Sequence, residues 1–247
     1  MRSKKFSVVV GAVLACLASY SSAVTIGSLT LPDGAQIHAG TVYENIVTAP
    51  GQTLAGYGTV GQINGLPLST YCSGCELTFT FGGYQVQTIT SPTDVTFSGG
   101  WVNFYLDASP DFNKDVAGSA SDGTLFLTLA GRGLVSNNVN TGSGLLQGSG
   151  NGLADVDFTG SANGNTAGAG AVANAFFNTN TFNGADVLFN TSYTIYNNGS
   201  PLCPSGAPCV VGSADLHAAP IPEPETYALV AAGLGMIAFM ARRRRAD

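Results

Sequence analysis

Hydrophobic side chains recur at every second position through the middle of this chain, and that alternation most restricts what it can fold into. Leu77, Phe79 and Phe81 fall on one side of a pleated backbone, while Thr78 and Thr80 fall on the other. The pattern repeats at Val102, Phe104 and Leu106, at Leu125, Leu127 and Leu129, and at Val187, Phe189, Tyr193 and Ile195. A helix buries every third or fourth residue, so a period of two predicts half-buried strands. Turn-forming residues separate the runs: Pro32-Asp33-Gly34, Gly82-Gly83, Ser91-Pro92, Gly99-Gly100, Asp122-Gly123 and Asn198-Gly199. Helix signals are scarce and no repeat of fixed period supports a solenoid. The expectation is therefore an all-β chain, an antiparallel β-sandwich of jelly-roll type over residues 24–219. Residues 137–183 are dominated by Gly, Asn, Ala, Ser and Thr and are expected to form a loose surface excursion. Short strands are expected within it at residues 153–158 and 173–177.

Charge excludes one class of partner. Of nine Lys and Arg residues, only Lys114 and Arg132 lie between Val24 and Pro222, where they face twelve Asp and Glu residues. An acidic body without basic clusters repels phosphate backbones, which rules out nucleic-acid binding. Few charges of either sign and much Gly, Ser, Thr and Asn suit a chain solvated by neutral polar groups outside the cell.

Both ends differ from this body. Arg2, Lys4 and Lys5 precede an apolar run from Phe6 to Ala18, followed by small residues ending at Ala23. That order predicts a secretory signal peptide, residues 1–23, with Ser21 and Ala23 in the pockets of a signal peptidase of the export machinery. A rival site, Val13-Leu14-Ala15-Cys16, loosely resembles a lipobox and would lipidate Cys16. At the other end, Pro222-Glu223-Pro224 is followed by an apolar stretch from Tyr227 to Ala241 and then by Arg242, Arg243, Arg244 and Arg245. As a helix that stretch is about 22 Å long, short of the ~30 Å hydrocarbon core, so its insertion is marginal. The arginines favour a cytoplasmic C-terminus, which puts the body outside. Pro220, Pro222 and Pro224 keep their segment extended, as a processing enzyme requires.

Residues 220–247, with Glu225-Thr226-Tyr227-Ala228 and the Gly-rich Leu229 to Met236, resemble the PEP-CTERM sorting signal. The resemblance covers about the last tenth of the chain. It implies an inner-membrane intermediate, recognition by an exosortase, cleavage near Pro222 to Pro224, and release to the cell surface or extracellular matrix. It also implies association with exopolysaccharide in biofilm or floc. A plain single-pass anchor is the alternative.

Candidate chemistry in the body is sparse. Cys72, Cys75, Cys203 and Cys209 remain after the signal peptide, and an even number in an exported chain predicts two disulfides. Local pairs would close two tight turns, crossed pairs would staple distant segments, and zinc or redox roles are the other options. No cofactor is expected, with calcium as the possible exception. Asp111, Asn113, Asp115 and Asp122 place oxygens at positions 1, 3, 5 and 12 of a calcium-type loop, although Val116 stands where Gly is wanted. Asp155 and Asp157 share one strand face, which invites a glycosidase comparison without marking a cleft. His38 and His217 suggest no triad, and no nucleophile elbow, zinc-protease or phosphate-loop motif occurs. Trp101, Tyr105, Tyr84 and Phe126 are either an outward platform for sugar rings or core. Threonines such as Thr179 and Thr181 are too few for an ice-binding array. The expectation is a non-enzymatic surface or matrix protein. A polysaccharide- or calcium-binding module is the second reading, and a secreted hydrolase the third.

Overall fold

The computed structural model describes residues 23–32, 34–90, 94–140, 146–159 and 171–218, together with Gly233, Leu234 and Met236. The expected signal peptide up to residue 22, Pro222 to Pro224 and Arg242 to Arg245 lie outside the described residues. Contacts divide the chain into a unit of residues 23–220 and a second unit made from the two ends. In the second, Gly233, Leu234 and Met236 are helical. Among the described residues no helix is long and apolar enough to cross a membrane.

The larger unit is all-β and antiparallel, as the alternation predicts. Its strands are β1 (Val24–Ile26), β2 (Leu29–Leu31), β3 (Gln36–Glu44), β4 (Thr53–Ile63), β5 (Leu66–Pro67), β6 (Glu76–Thr90), β7 (Asp94–Asp107), β8 (Thr124–Asn140), β9 (Leu146–Val156), β10 (Val187–Tyr196) and β11 (Cys209–Ala218). Where two packed sheets were expected, eight strands form one sheet closed on itself. β3 pairs with β4 on one side and with β11 on the other, and β6 to β10 complete the ring in chain order. The result is an up-and-down barrel, in which closure leaves no free edge. Period-two alternation serves a barrel wall and a sandwich equally, so the sequence could not separate them.

One end of the barrel, where β6 begins and β7 ends, is sealed. Leu29 and Leu31 of the β1–β2 hairpin join Ile37, Ile63, Leu77 and Leu127 there, none more than 1% exposed. The helix α1 (Ala171–Phe177) contacts β1 and β8 at the same end. A strand was expected over 173–177. The segment is alanine-rich, a strong helix former, and Ala173, Asn174 and Phe177 are buried at helical spacing, with Phe177 edge-on to Phe126.

The Gly-rich region is more regular than expected: β8 ends within it, and the strand expected over 153–158 is present as far as Val156 but begins earlier, at Leu146, as β9. Gly148, Gly150 and Gly152 occupy alternate positions of β9, each opposite a larger inward residue of β10: Tyr193, Thr191 and Phe189. A Cβ at Gly152 would overlap the Phe189 ring and come within 2.7 Å of the Gly133 carbonyl oxygen. Gly56 and Gly58 of β4 face Phe81 and Phe79 of β6 in the same way. Glycine on one strand thus makes the space that the neighbouring ring fills.

Gly82-Gly83 and Gly99-Gly100, expected as turns, lie inside β6 and β7. Gly83, Gly99 and Gly100 have φ of +72°, +64° and +99°, a left-handed backbone that bends both strands together. The bend shifts the alternation by one, so Tyr84 points into the barrel and packs on Gly100 and Gly131.

Glu44, at the end of β3, shares the inward face with Val42. It keeps some accessible surface, yet protein atoms crowd its carboxyl, and burial pushes its pKa up to about 7 from 4.5. Crowding governs here, because a carboxylate is destabilised by low-dielectric neighbours even when one side touches water.

Two outcomes test this account. Gly152→Ala should lower stability by about 1–3 kcal/mol in urea titrations, and adding Phe189→Leu should recover part of that loss as measurable coupling in a double-mutant cycle. For Glu44, the folded state holds its proton more tightly than the unfolded chain. Stability from this group is full below pH 4.5 and declines as pH rises toward 7, by no more than about 3 kcal/mol. Glu44→Gln should flatten that decline, and an unchanged slope would show that another group causes it.

Candidate functional site

Outward residues of β3 and β4 build an aromatic groove. Tyr43 and Tyr57 are cross-strand partners, with ring centroids 5.7 Å apart. Phe112, from the loop between β7 and β8, lies 6.5 Å from Tyr43 and 6.4 Å from Tyr57. Trp101 of β7 forms another wall, its indole lying over Gly82 and Gly83, where a side chain would collide with it. Pro204 and Pro208 border the groove, whose volume is about 530 Å³. Both tyrosines have raised pKa values, chiefly from burial, so they are neutral phenols at ordinary pH. The Tyr57 hydroxyl donates to the Lys114 carbonyl at 2.6 Å.

Loop contacts hold the rim. Lys114 Nζ donates to Asp115 Oδ1 at 2.8 Å and to the Cys203 carbonyl at 3.4 Å, and Ser205 N–H donates to Asp115 Oδ1 at 2.7 Å. The Lys114 hydrogen bond, with the Ser205 amide, holds the Asp115 carboxyl below the usual range. Cys203 is bonded to Cys209, which ties the 197–208 loop to the start of β11, and Cys72 is bonded to Cys75. Both pairs are the local ones.

Two of the four residues expected in a calcium loop, Asn113 and Asp115, make other contacts. Asn113 Oδ1 accepts the Asp115 N–H at 3.0 Å, and the Asp115 carboxylate belongs to the rim. Asp111 instead stands with Glu76 and Asp107, their oxygens within 4.8 Å of one another. The Glu76 carboxylate there accepts the backbone N–H groups of Asp111 and Phe112. The carboxylates of Glu76 and Asp115 meet backbone donors here, and Val116 stands where a calcium-type loop has Gly.

The paired carboxylates also have separate tasks. Asp155 accepts from Arg132 Nε at 2.5 Å, while Asp157 accepts from Thr159 N–H at 3.0 Å and from its hydroxyl at 2.9 Å. His38, for which the sequence offered no partner, pairs across strands with Asp215 at 2.6 Å. Of the four aromatics singled out in sequence, Trp101 and Tyr105 are partly exposed, while Tyr84 and Phe126 are buried. Tyr84 moved inward because of the glycine bend, and Phe126 is covered by Phe177. Sequence reasoning missed Tyr43, Tyr57 and Phe112. The signal available was that Tyr43 sits between the inward residues Val42 and Glu44, which places its ring outside.

A second hollow lies inside the barrel. It measures about 120 Å³ and is walled by residues such as Phe79, Phe104, Leu129, Phe189, Ile195 and Val210. Glu44, Asn45 and Phe81 border both hollows.

No curated protein and no solved structure matches the chain. Residues 220–245 match the PEP-CTERM protein-sorting motif. The chain thus carries a PEP-CTERM sorting tail at its C-terminus, the mark of an exported protein sorted by an exosortase.

Proposed function

We propose that this protein is a non-enzymatic component of the cell surface or extracellular matrix, released there by exosortase processing and working alongside exopolysaccharide. The sorting motif at residues 220–245 carries this reading. The body supports it: a closed antiparallel sheet, two local disulfides and an acidic, charge-poor composition suit a protein that persists outside the cell. Asp155 and Asp157, the paired carboxylates that invited a glycosidase comparison, bond to Arg132 and to Thr159, a use that fits a structural role better than the hydrolase alternative.

A second reading, compatible with the first, is polysaccharide binding in the outer groove. Neutral tyrosines and an indole offer apolar faces to sugar rings, and Thr80 places a hydroxyl residue on the same walls. The low basicity of the chain favours neutral sugars over strongly anionic ones.

Deleting Pro222 to Pro224 should leave the protein in the inner-membrane fraction, while the unaltered chain is released with a mass ending near Pro222. Equal release of both forms would sink the sorting assignment. For the groove, Trp101 is the single tryptophan of the chain, so its fluorescence reports on that wall alone. Titration with exopolysaccharide from the producing strain should shift Trp101 emission, and Tyr43→Leu should weaken binding about tenfold, corresponding to about 1.4 kcal/mol. An unshifted spectrum with saturating polysaccharide would remove the groove from consideration.

A further inference from the structure

The cavity inside the barrel is separate in character from the outer groove. Protein cores rarely leave voids larger than a water molecule, and a dry cavity of about 150 Å³ in another protein accepts benzene. A volume of about 120 Å³ is therefore room for a small organic molecule. Eight-stranded barrels have interiors just wide enough for side chains or for one such ligand. Here the hairpin and α1 seal one end, and the cavity lies toward the opposite one, where β3 finishes and β11 begins.

Its walls are apolar with a few polar groups. Ser136 and Tyr193 share a hydrogen bond between their hydroxyls, and Thr191 lies on the same strand face as Tyr193. Glu44 stands close enough to Tyr193 for its charge to raise the phenol pKa, after burial as the main cause. Among the described residues the Glu44 carboxyl has no hydrogen-bond partner. Tyr84, another wall residue, is 2% exposed, and its hydroxyl also makes no hydrogen bond. The Tyr84 hydroxyl is thus a buried polar group without a partner, which is costly, and the Glu44 carboxyl, which keeps some accessible surface, is a group that no protein donor occupies and a ligand can bond.

We infer that this cavity binds a small neutral molecule, about the size of one six-membered ring, bearing a carbonyl or hydroxyl oxygen that hydrogen-bonds to Glu44. Neutrality follows from the surroundings. An anionic ligand would set a second negative charge beside the one carboxyl in the cavity wall, and a cation would surrender its hydration to mainly apolar walls. A protonated Glu44 donates to a carbonyl, and an ionised one accepts from a hydroxyl, so either state can hold such a group. The site goes beyond the matrix role, and its residues other than Glu44, Asn45 and Phe81 do not border the groove.

Calorimetric titration of the full chain with cyclohexanone, benzene, cyclohexylamine and cyclohexanecarboxylate tests this directly. Cyclohexanone should bind most tightly. Glu44→Val should weaken it at least tenfold while changing benzene affinity less than twofold, and Glu44→Gln should restore most of the loss. Ala214→Leu, which fills the cavity from β11, should abolish binding of both neutral probes without lowering the melting temperature. If that variant fails to fold, Thr191→Val should leave benzene binding intact and serve as the folded control beside Leu129→Phe as blocker. Absence of binding by every probe, tighter binding of the amine or the carboxylate, or equal effects of Glu44→Val on cyclohexanone and benzene would overturn the assignment.

Discussion

Everything in the body depends on β3 pairing with two strands at once. Its register with β4 runs from Ile37 against Ile63 to Glu44 against Gly56, and its register with β11 joins the same residues to Leu216 and Val210. Without the β11 pairing the sheet would be open, with two long edges available to other chains. With it, the inward faces of eight strands meet around one axis, and the interior becomes a defined volume. The aromatic groove depends on the same strand, because Tyr43 is fixed opposite Tyr57 only while β3 and β4 keep their register.

The fold class was legible because phenylalanine and leucine alternate with threonine and asparagine in β6, β7 and β8. Closure was not, since the contacts that distinguish a barrel from a sandwich lie between β3 and β11, about 180 residues apart in sequence. The first part of the Gly-rich region was misread for a sharper reason. In β9 three successive inward positions, 148, 150 and 152, are glycine, so hydrophobic alternation vanishes just where the wall is continuous, and the missing volume is supplied by Phe189 and Tyr193 of the next strand. Likewise, Gly82-Gly83 and Gly99-Gly100 have turn composition but act as a paired bend. No single-strand pattern reveals that, because the information lies in the partner.

The candidate site was partly legible. Trp101 was singled out, but its neighbours in the groove come from β3, β4 and the 108–123 loop, and only the folded register assembles them. Glu44 attracted no attention in sequence, because one carboxylate between tyrosine and asparagine is unremarkable on a surface. Its position on the inward face makes it chemically distinct, with a carboxyl that burial shifts to about 7.

The disulfides and the sorting tail fit together with this order of assembly. Bonds across three and six residues close small loops, each worth about 2 kcal/mol in the chain-entropy account, and neither spans the β3–β11 closure. The barrel must therefore close through its own sheet pairing, which cannot finish until β11 is available. β11 ends at Ala218, four residues before Pro222. A cut at Pro222 or beyond leaves every barrel strand intact, whereas a cut a few residues earlier would remove Ala218 from the sealed end. The matched sorting motif, residues 220–245, thus begins in sequence after the last residue that closure requires.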